Sequence, residues 1–404
     1  MILNNVKVND VYSMKKVYSN PSINVVNNSK ANVIHPRDIK AGQLTAIMDW
    51  IIHGGNADNG VGIIAADESL GTIGKRLKSI GLPNIEANRR LLRSCFIEAA
   101  GIHKAGGSGM ILFTESFDHA TKDGVKFGEA LRKAGVIPIV KPDLGAKKTI
   151  GAAGEMVTTG LQHPYITAEG KPALMSLKAK LDEMVKKGAL AAKWRAAIKV
   201  DPKKGLPTDA CIDANATNLA LYAIACHQAG IVPMVEPEVL FSGTQTMKQY
   251  EVILTKVLNA VFNKLKLYKV DLSKIILKTN MVCPGKDTPE FNTVTPEEVA
   301  KATIRCFKNS VPAEVRTQNF LSGGLSDQQA YKFLSAINKL AVKSNAPWNL
   351  SFSYGRAIVR DALKEFGIQM KKPAWERDYK KVQDAFLKSV NRCRLAGIGE
   401  YETA

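Results

Sequence analysis

The chain of 404 residues predicts an α/β protein folded as a closed (β/α)8 TIM barrel. Three observations carry that expectation. From about residue 40 onward, short β-branched or apolar runs alternate with longer amphipathic stretches, the pattern of parallel strands joined by right-handed helical crossovers. The runs number eight, the count that closes a barrel. Almost every run is followed by charged or polar residues, and the C-terminal rim of a barrel is where its site is built.

In chain order the runs are 61–66, 110–113, 136–140, 196–200, 231–235, 275–277, 319–321 and 350–352. Helical patterns separate them, most clearly at 217–229 and 246–267. The first run ends in Asp67-Glu68-Ser69, the second in Thr114-Glu115, the third in Lys141-Pro142-Asp143. The fifth ends in Glu236-Pro237-Glu238 and the sixth in Lys278. The seventh ends in Ser322-Gly323-Gly324 and the eighth in Ser353-Tyr354-Gly355-Arg356. A charge at the end of a buried strand costs desolvation energy unless it is paired or used. One such end is an ordinary salt bridge; a whole rim of them is a site. An open doubly wound sheet would need a glycine-rich phosphate loop after its first strand. The glycine loops at 106–109 and 323–324 match neither the dinucleotide fingerprint nor a P-loop.

Composition narrows the class. Hydrophobic residues make up 45% and charged residues 23%, ordinary for a globular protein that buries its own core. No apolar run reaches the roughly 18–20 residues of a membrane span. The six cysteines are scattered without a CxxC, which fits reduced thiols. The formal charge of +19 predicts attraction to anions, from phosphorylated metabolites to acidic filaments or nucleic acid as secondary partners. The basic residues are spread out and no dense arginine patch is interleaved with aromatics, so a solvated basic surface is the simpler expectation.

The ends differ from the middle. Residues 1–38 are rich in Asn and Ser and carry no sustained period, which reads as a flexible leader or, alternatively, an organelle transit segment. The cytoplasm is the expected compartment, with a plastid or other organelle if the leader is a transit segment. Residues 39–395 form the expected barrel, and 396–404 a mobile tail built around Gly397-Ile398-Gly399.

The rim residues suggest a chemistry. Lys278 follows Ile-Ile-Leu, so apolar walls should lower its pKa, helped by cations at Lys141, Lys193 or Arg195. A neutral amine attacks a carbonyl to form an imine. Glu236 and Glu238 lie two apart and share a face of their strand, where differing environments could assign acid and base roles. Asp67 adds a third carboxylate. Ser322 and Gly323 offer a hydroxyl and backbone N–H groups to an anion, and Arg356, after Gly355, can grip a phosphate in two places. The six histidines show no ligand spacing, so no metal and no other cofactor is expected.

At this point the order of motifs is recognisable. IIAADES, IVKPD, AAKWR, VPMVEPE, LKTNMV, FLSGG and FSYGRA stand in the order and spacing of the class I fructose-bisphosphate aldolases, which the chain resembles from about residue 40 to 395. The resemblance implies a Schiff base between Lys278 and dihydroxyacetone phosphate. It implies that Glu236 handles protons in imine formation, supported by Glu238, and that Asp67 takes the C4 hydroxyl proton during carbon–carbon cleavage. Lys193, Arg195 and Lys141 would orient substrate and stabilise its charge. Ser322, Gly323, Gly355 and Arg356 match one phosphate site, and Ser69, Thr72 and Arg76 the other. It further implies a homotetramer and a mobile C-terminal tyrosine, here Tyr401, that helps proton transfer at the substrate carbon. Transaldolase or deoxyribose-phosphate aldolase types, which also use Schiff bases, lack this full set, and a catalytically idle basic scaffold would not keep it.

The sequence departs from the family pattern in places. Ser-Leu-Gly-Thr stands at 69–72 where Ser-Thr-Gly-Ser is usual, and Thr-Glu-Ser-Phe follows the second run where a His-Glu-Thr-Leu type is usual. The stretch around 163–174 looks inserted, and Glu402-Thr403-Ala404 follow the last tyrosine. By strand parity Lys193 and Arg195 lie near the start of the fourth run, on one face with Ala197 and Lys199; the resemblance alone makes them catalytic.

Overall fold

A computed structural model of the protein describes residues 33–55, 60–148 and 154–402. Eight parallel strands close on themselves: β1 (Gly62–Ala66), β2 (Gly107–Phe113), β3 (Ile137–Lys141), β4 (Ala191–Ile198), β5 (Val232–Val239), β6 (Ile276–Thr279), β7 (Thr317–Phe320) and β8 (Asn349–Tyr354). Each pairs with its neighbour in sequence order, and β8 returns to β1 with Ile63 opposite Ser353. The strands are almost wholly buried, as parallel strands sheathed by helices must be. The closed barrel is the fold the alternation predicts.

Helix starts follow local chemistry. Thr246 caps the helix Met247–Leu267 with Gln249 answering from the third position, and Thr295 with Glu298 and Ser326 with Gln329 make the same reciprocal box. The helix Asp209–Gln228 begins eight residues before the expected start at 217, because Thr208 caps it. The buried Glu155 carboxylate in turn accepts from the Thr208 N–H and hydroxyl at 2.9 and 2.6 Å.

Between β3 and β4 the chain makes two antiparallel ribbons that the sequence reading did not foresee. The first pairs Ala146–Lys148 with Met156–Thr158 and flanks the C-terminal rim. The second pairs Gln162–Ile166 with Pro172–Ser176, which is the stretch that looks inserted.

Boundaries shift at both ends. The compact unit that holds the barrel runs from Ile34, not from residue 39. Arg132 donates to the carbonyls of Pro36, Arg37 and Ile39, and the His35 ring meets Trp50 edge-on at 5.1 Å. The rest of the expected leader, residues 1–32, lies outside the described residues. At the other end the last helix, Tyr379–Gly397, extends past the expected break at 395. It packs against the N-terminal end of the barrel, where Gly60 lets it close: a β-carbon there would stand 2.7 Å from the Arg394 carbonyl oxygen. Among the described residues no helix is long and apolar enough to cross a membrane. All six cysteines are buried thiols.

Candidate active site

A cavity of about 330 Å³ opens at the C-terminal rim. Every sequence-predicted site residue lines it except Tyr401. The strand ends explain the convergence. Ile276 and Leu277 of β6 pair with Met234 and Val235 of β5, and continuing that register sets Lys278 beside Glu236. Arg195 of β4 stands opposite Glu236, and Ala197 opposite Glu238.

The fourth strand corrects one expectation. It begins at Ala191 rather than 196, so Lys193 and Arg195 are the third and fifth residues of the strand instead of preceding it. Trp194, Ala196 and Ile198 on the alternate face pack into the hydrophobic core, which leaves the face of Lys193, Arg195 and Ala197 to the cavity.

Four charges form a chain across the floor. Lys193 Nζ lies 2.7 Å from Asp67 Oδ2 and 3.1 Å from Glu236 Oε2, the latter as an ion pair without a hydrogen bond. Lys278 Nζ lies 3.2 Å from Glu236 Oε1. All four side chains are at least nearly buried, so each answers strongly to its neighbours. Burial pushes the Asp67 carboxyl up, but Lys193 and then Lys278 overcome it and hold it well below the usual carboxylate range. Burial and the same two lysines act on Glu236 in the same senses, and it too ends lowered. Burial pushes Lys193 down, yet Asp67 and Glu236 raise it above an ordinary lysine. Lys278 goes the other way: burial lowers it, Glu236 raises it, Lys193 lowers it again, and the net is down. The dominant cause is the apolar wall rather than a ring of cations, since Asp67 also opposes the shift. Two neighbouring lysines thus differ in kind: one a fixed cation, the other an amine poised to lose its proton.

Around this floor stand the grips. Arg195 donates its Nε to Glu238 Oε2. Lys141 Nζ reaches Asp143 Oδ1 at 2.7 Å. Arg76 pairs with Glu68, and the Ser69 and Thr72 hydroxyls lie 3.2 Å apart at the start of the helix Leu70–Ser79. The Ser322-Gly323 loop needs its glycine, because a β-carbon at 323 would stand 2.8 Å from Glu238 Oε1. Gly355 begins the helix Arg356–Met370, and the exposed Arg356 has neither a hydrogen bond nor an ion pair among the described residues. Two helix N-termini therefore border one cavity, each presenting free N–H groups to an anion.

The structure adds residues that the reading passed over. Glu68 and Asp143, strand-end residues to which the motif order assigns no role, hold Arg76 and Lys141 respectively. Thr158, on the first ribbon, lines the cavity and donates its hydroxyl to the Arg195 carbonyl at 2.6 Å. Asp143 had a readable signal, since it lies two residues beyond Lys141; Thr158 had none. Tyr401 stands apart, its hydroxyl donating to Gln328 Oε1 at 3.0 Å and its ring 5.1 Å from Tyr331. Among the described residues no cluster of His, Cys, Asp and Glu is arranged to hold a metal.

The arrangement offers a poised amine, two ionised carboxylates bridged by a permanent cation, and anion grips on neighbouring strands. Arg356→Ala should lower kcat/KM for a phosphorylated substrate by about ten- to hundredfold, the scale of one charge-assisted contact. Steady-state kinetics checks it, and an unchanged kcat/KM would remove Arg356 from the anion grip.

Comparison with known proteins agrees with this geometry. The family model described as fructose-bisphosphate aldolase class-I matches residues 55–404. A cytoplasmic isozyme 2 of fructose-bisphosphate aldolase from Pisum sativum is 39% identical over 345 residues, covering 85% of this chain and 89% of that protein. A probable class 1 fructose-bisphosphate aldolase from Xylella fastidiosa is 40% identical, covering 85% and 95%. Among solved structures, the Plasmodium falciparum fructose-bisphosphate aldolase, in complex with TRAP and a small-molecule inhibitor, superposes with a TM-score of 0.80 at 33% identity, over 90% of this chain and 96% of that one.

Proposed function

Because the chain belongs to the class I fructose-bisphosphate aldolase family, we propose that Lys278 is the amine that carries its reaction as a covalent imine. The protein is a carbon–carbon lyase that reversibly cleaves fructose 1,6-bisphosphate into dihydroxyacetone phosphate and glyceraldehyde 3-phosphate, a step of glycolysis and gluconeogenesis. The single observation that supports the assignment to Lys278 is the opposite behaviour of the two floor lysines. Only an amine that sheds its proton is a nucleophile.

The steps follow from the charges. Glu236, ionised and 3.2 Å away, takes a proton from the Lys278 ammonium. The freed nitrogen adds to the C2 carbonyl and passes a second proton to the carbinol oxygen. Glu236 returns the first, so that water leaves and the protonated imine remains. The protonated imine then draws the electron pair of the C3–C4 bond. Asp67, anionic and fixed by Lys193, takes the C4 hydroxyl proton as the aldehyde departs. The enamine left on Lys278 gains a proton at C3, and hydrolysis releases dihydroxyacetone phosphate. Lys193, Arg195 and Lys141 stabilise negative charge on the substrate. Ser322, Gly323, Gly355 and Arg356 hold one phosphate, and Ser69, Thr72 and Arg76 the other. Glu238, tied to Arg195, keeps the guanidinium in place.

Borohydride reduction in the presence of substrate and excess chelator should leave an adduct on the peptide containing Lys278. An adduct confined to Lys141 or Lys193, or one that needs added zinc, would sink the assignment.

Tyr401 serves the C3 protonation in this reading, and would have to leave its contact with Gln328 to do so. Removing residues 401–404 should slow turnover of the enamine while imine formation persists. Oxidative trapping of the carbanion and borohydride trapping of the imine separate the two steps; equal turnover in the trimmed enzyme would retire Tyr401 from the role. We further propose a cytoplasmic homotetramer, on the strength of relatives named as cytoplasmic and cytosolic isozymes for the compartment and of family resemblance for the assembly.

A further inference from the structure

We propose that the turn carrying Trp375 docks the protein on an anionic lipid surface, with the indole among the headgroups and Lys371, Lys372 and Lys381 on the lipid charges. Trp375 is 85% exposed, the most exposed large hydrophobic side chain among the described residues. The other three tryptophans, Trp50, Trp194 and Trp348, are buried. A lone exposed aliphatic side chain is ordinary, but an indole left outside gives up the burial of the bulkiest apolar side chain. Among the described residues the Trp375 ring stacks on no other ring and makes no hydrogen bond.

The exposure is not that of a loose loop. Trp375 sits in the short helical turn Ala374–Glu376, between the helices Arg356–Met370 and Tyr379–Gly397. Arg377 fastens the turn, donating Nε to the Lys372 carbonyl at 3.1 Å and Nη2 to the Met370 carbonyl at 3.4 Å. The Asp378 N–H donates to Oε1 of the buried Gln369 at 2.9 Å. Both flanks of the indole are therefore tied to the end of the preceding helix.

The charges around the ring point to its partner. Residues 371–381 carry five basic side chains against Glu376 and Asp378, and the Asp378 carboxylate is taken up in capping the next helix. Lys380 pairs with Asp384, whereas Lys371, Lys372 and Lys381 have no ion pair among the described residues. Exposed Ile368 lies three and four residues before Lys371 and Lys372, one helical turn away, and adds apolar atoms beside them. A protein partner of standard size would cover roughly 800 Å² of shape-matched surface on this side. Here one ring and one isoleucine stand among flexible lysines. A fluid lipid surface needs no matched shape; it takes an amphipathic ring at headgroup level and cations near its negative charge. Docking there leaves the cavity open, because the fifteen residues of the helix Arg356–Met370 set about 22 Å between the rim and its far end.

The test uses the full-length protein with vesicles of phosphatidylcholine, alone or with about 30% phosphatidylserine, in about 0.1 M salt. With the other three tryptophans buried, a change in emission on binding reports Trp375. The wild type should sediment with the anionic vesicles only, its emission should move to shorter wavelength, and lipids brominated on the acyl chain should quench it. That quenching needs no variant. Trp375→Ala should weaken binding about tenfold or more, and Lys371→Glu combined with Lys372→Glu more than about twentyfold. Both should cleave fructose 1,6-bisphosphate at the wild-type rate, which also reports their folding. Binding by Trp375→Ala as tight as by the wild type, or wild-type binding without an emission shift, would leave only unspecific attraction of the +19 charge and overturn the proposal. No binding to the anionic vesicles would overturn it as well. An emission shift produced by polyglutamate and not by those vesicles would assign the surface to an acidic protein instead.

Discussion

Lys278→Met is expected to abolish cleavage, with kcat falling on the order of 10⁵-fold, the scale of a lost intramolecular reacting group. Methionine keeps the length and packs against the same apolar wall, so the barrel should fold and still bind the bisphosphate. Binding by calorimetry and turnover by a coupled assay would separate the two effects; a variant that keeps even about a hundredth of wild-type kcat would mean that another amine does the work. The wild type carries its own pH signature. Burial lowers the Lys278 pKa, so the neutral fraction, and with it the rate of imine formation, should rise with pH and level off below the 10.5 of an ordinary lysine. A rate still climbing at that pH would contradict the lowered pKa.

Asp67→Asn is the second large effect. It removes the base for the C4 hydroxyl, and kcat should drop about 10²- to 10⁴-fold. Imine formation should survive, because Glu236 remains beside Lys278. Borohydride should therefore trap an uncleaved six-carbon adduct on Lys278, whose mass distinguishes it from the three-carbon adduct of dihydroxyacetone phosphate. Asp67 also raises the Lys278 pKa, so its loss should move the onset of imine formation toward lower pH. A three-carbon adduct formed at wild-type speed would show that another group takes the hydroxyl proton.

Much of the fold was legible because parallel strands buried on both faces announce themselves as apolar runs. Where the runs carried charge, reading was harder. Ala-Ala-Lys-Trp-Arg does not look like a strand start, since its alternate positions face a polar cavity instead of the core; only the structure moved that start from 196 to Ala191. The two ribbons are hard to read from sequence for a related reason. Strands of three to five mostly exposed residues have no apolar face to repeat, and Pro164 and Pro172 argue against a strand by themselves. In the site, residue types suggested the chemistry, and the motif order pointed to their roles. That Lys278 is the amine is legible from the apolar run before it; how firmly Lys193 is held as the cation is not. That depends on Lys193 lying between Asp67 and Glu236, while Lys278 has Glu236 alone as its close partner.

The pairing of β8 with β1 has a consequence for the protein's synthesis. Ile63 waits for Ser353, so the barrel stays open along one side until nearly the whole chain has been made. A ribosome adding about 5–20 residues per second needs on the order of fifteen seconds or more to bridge that interval. During that time β1 is an unpaired edge exposed to other chains. Late in that interval Asp67 and Lys278 have both been made, but Gly355 and Arg356 have not. The burial that lowers the Lys278 pKa is therefore complete only once the last strand meets the first.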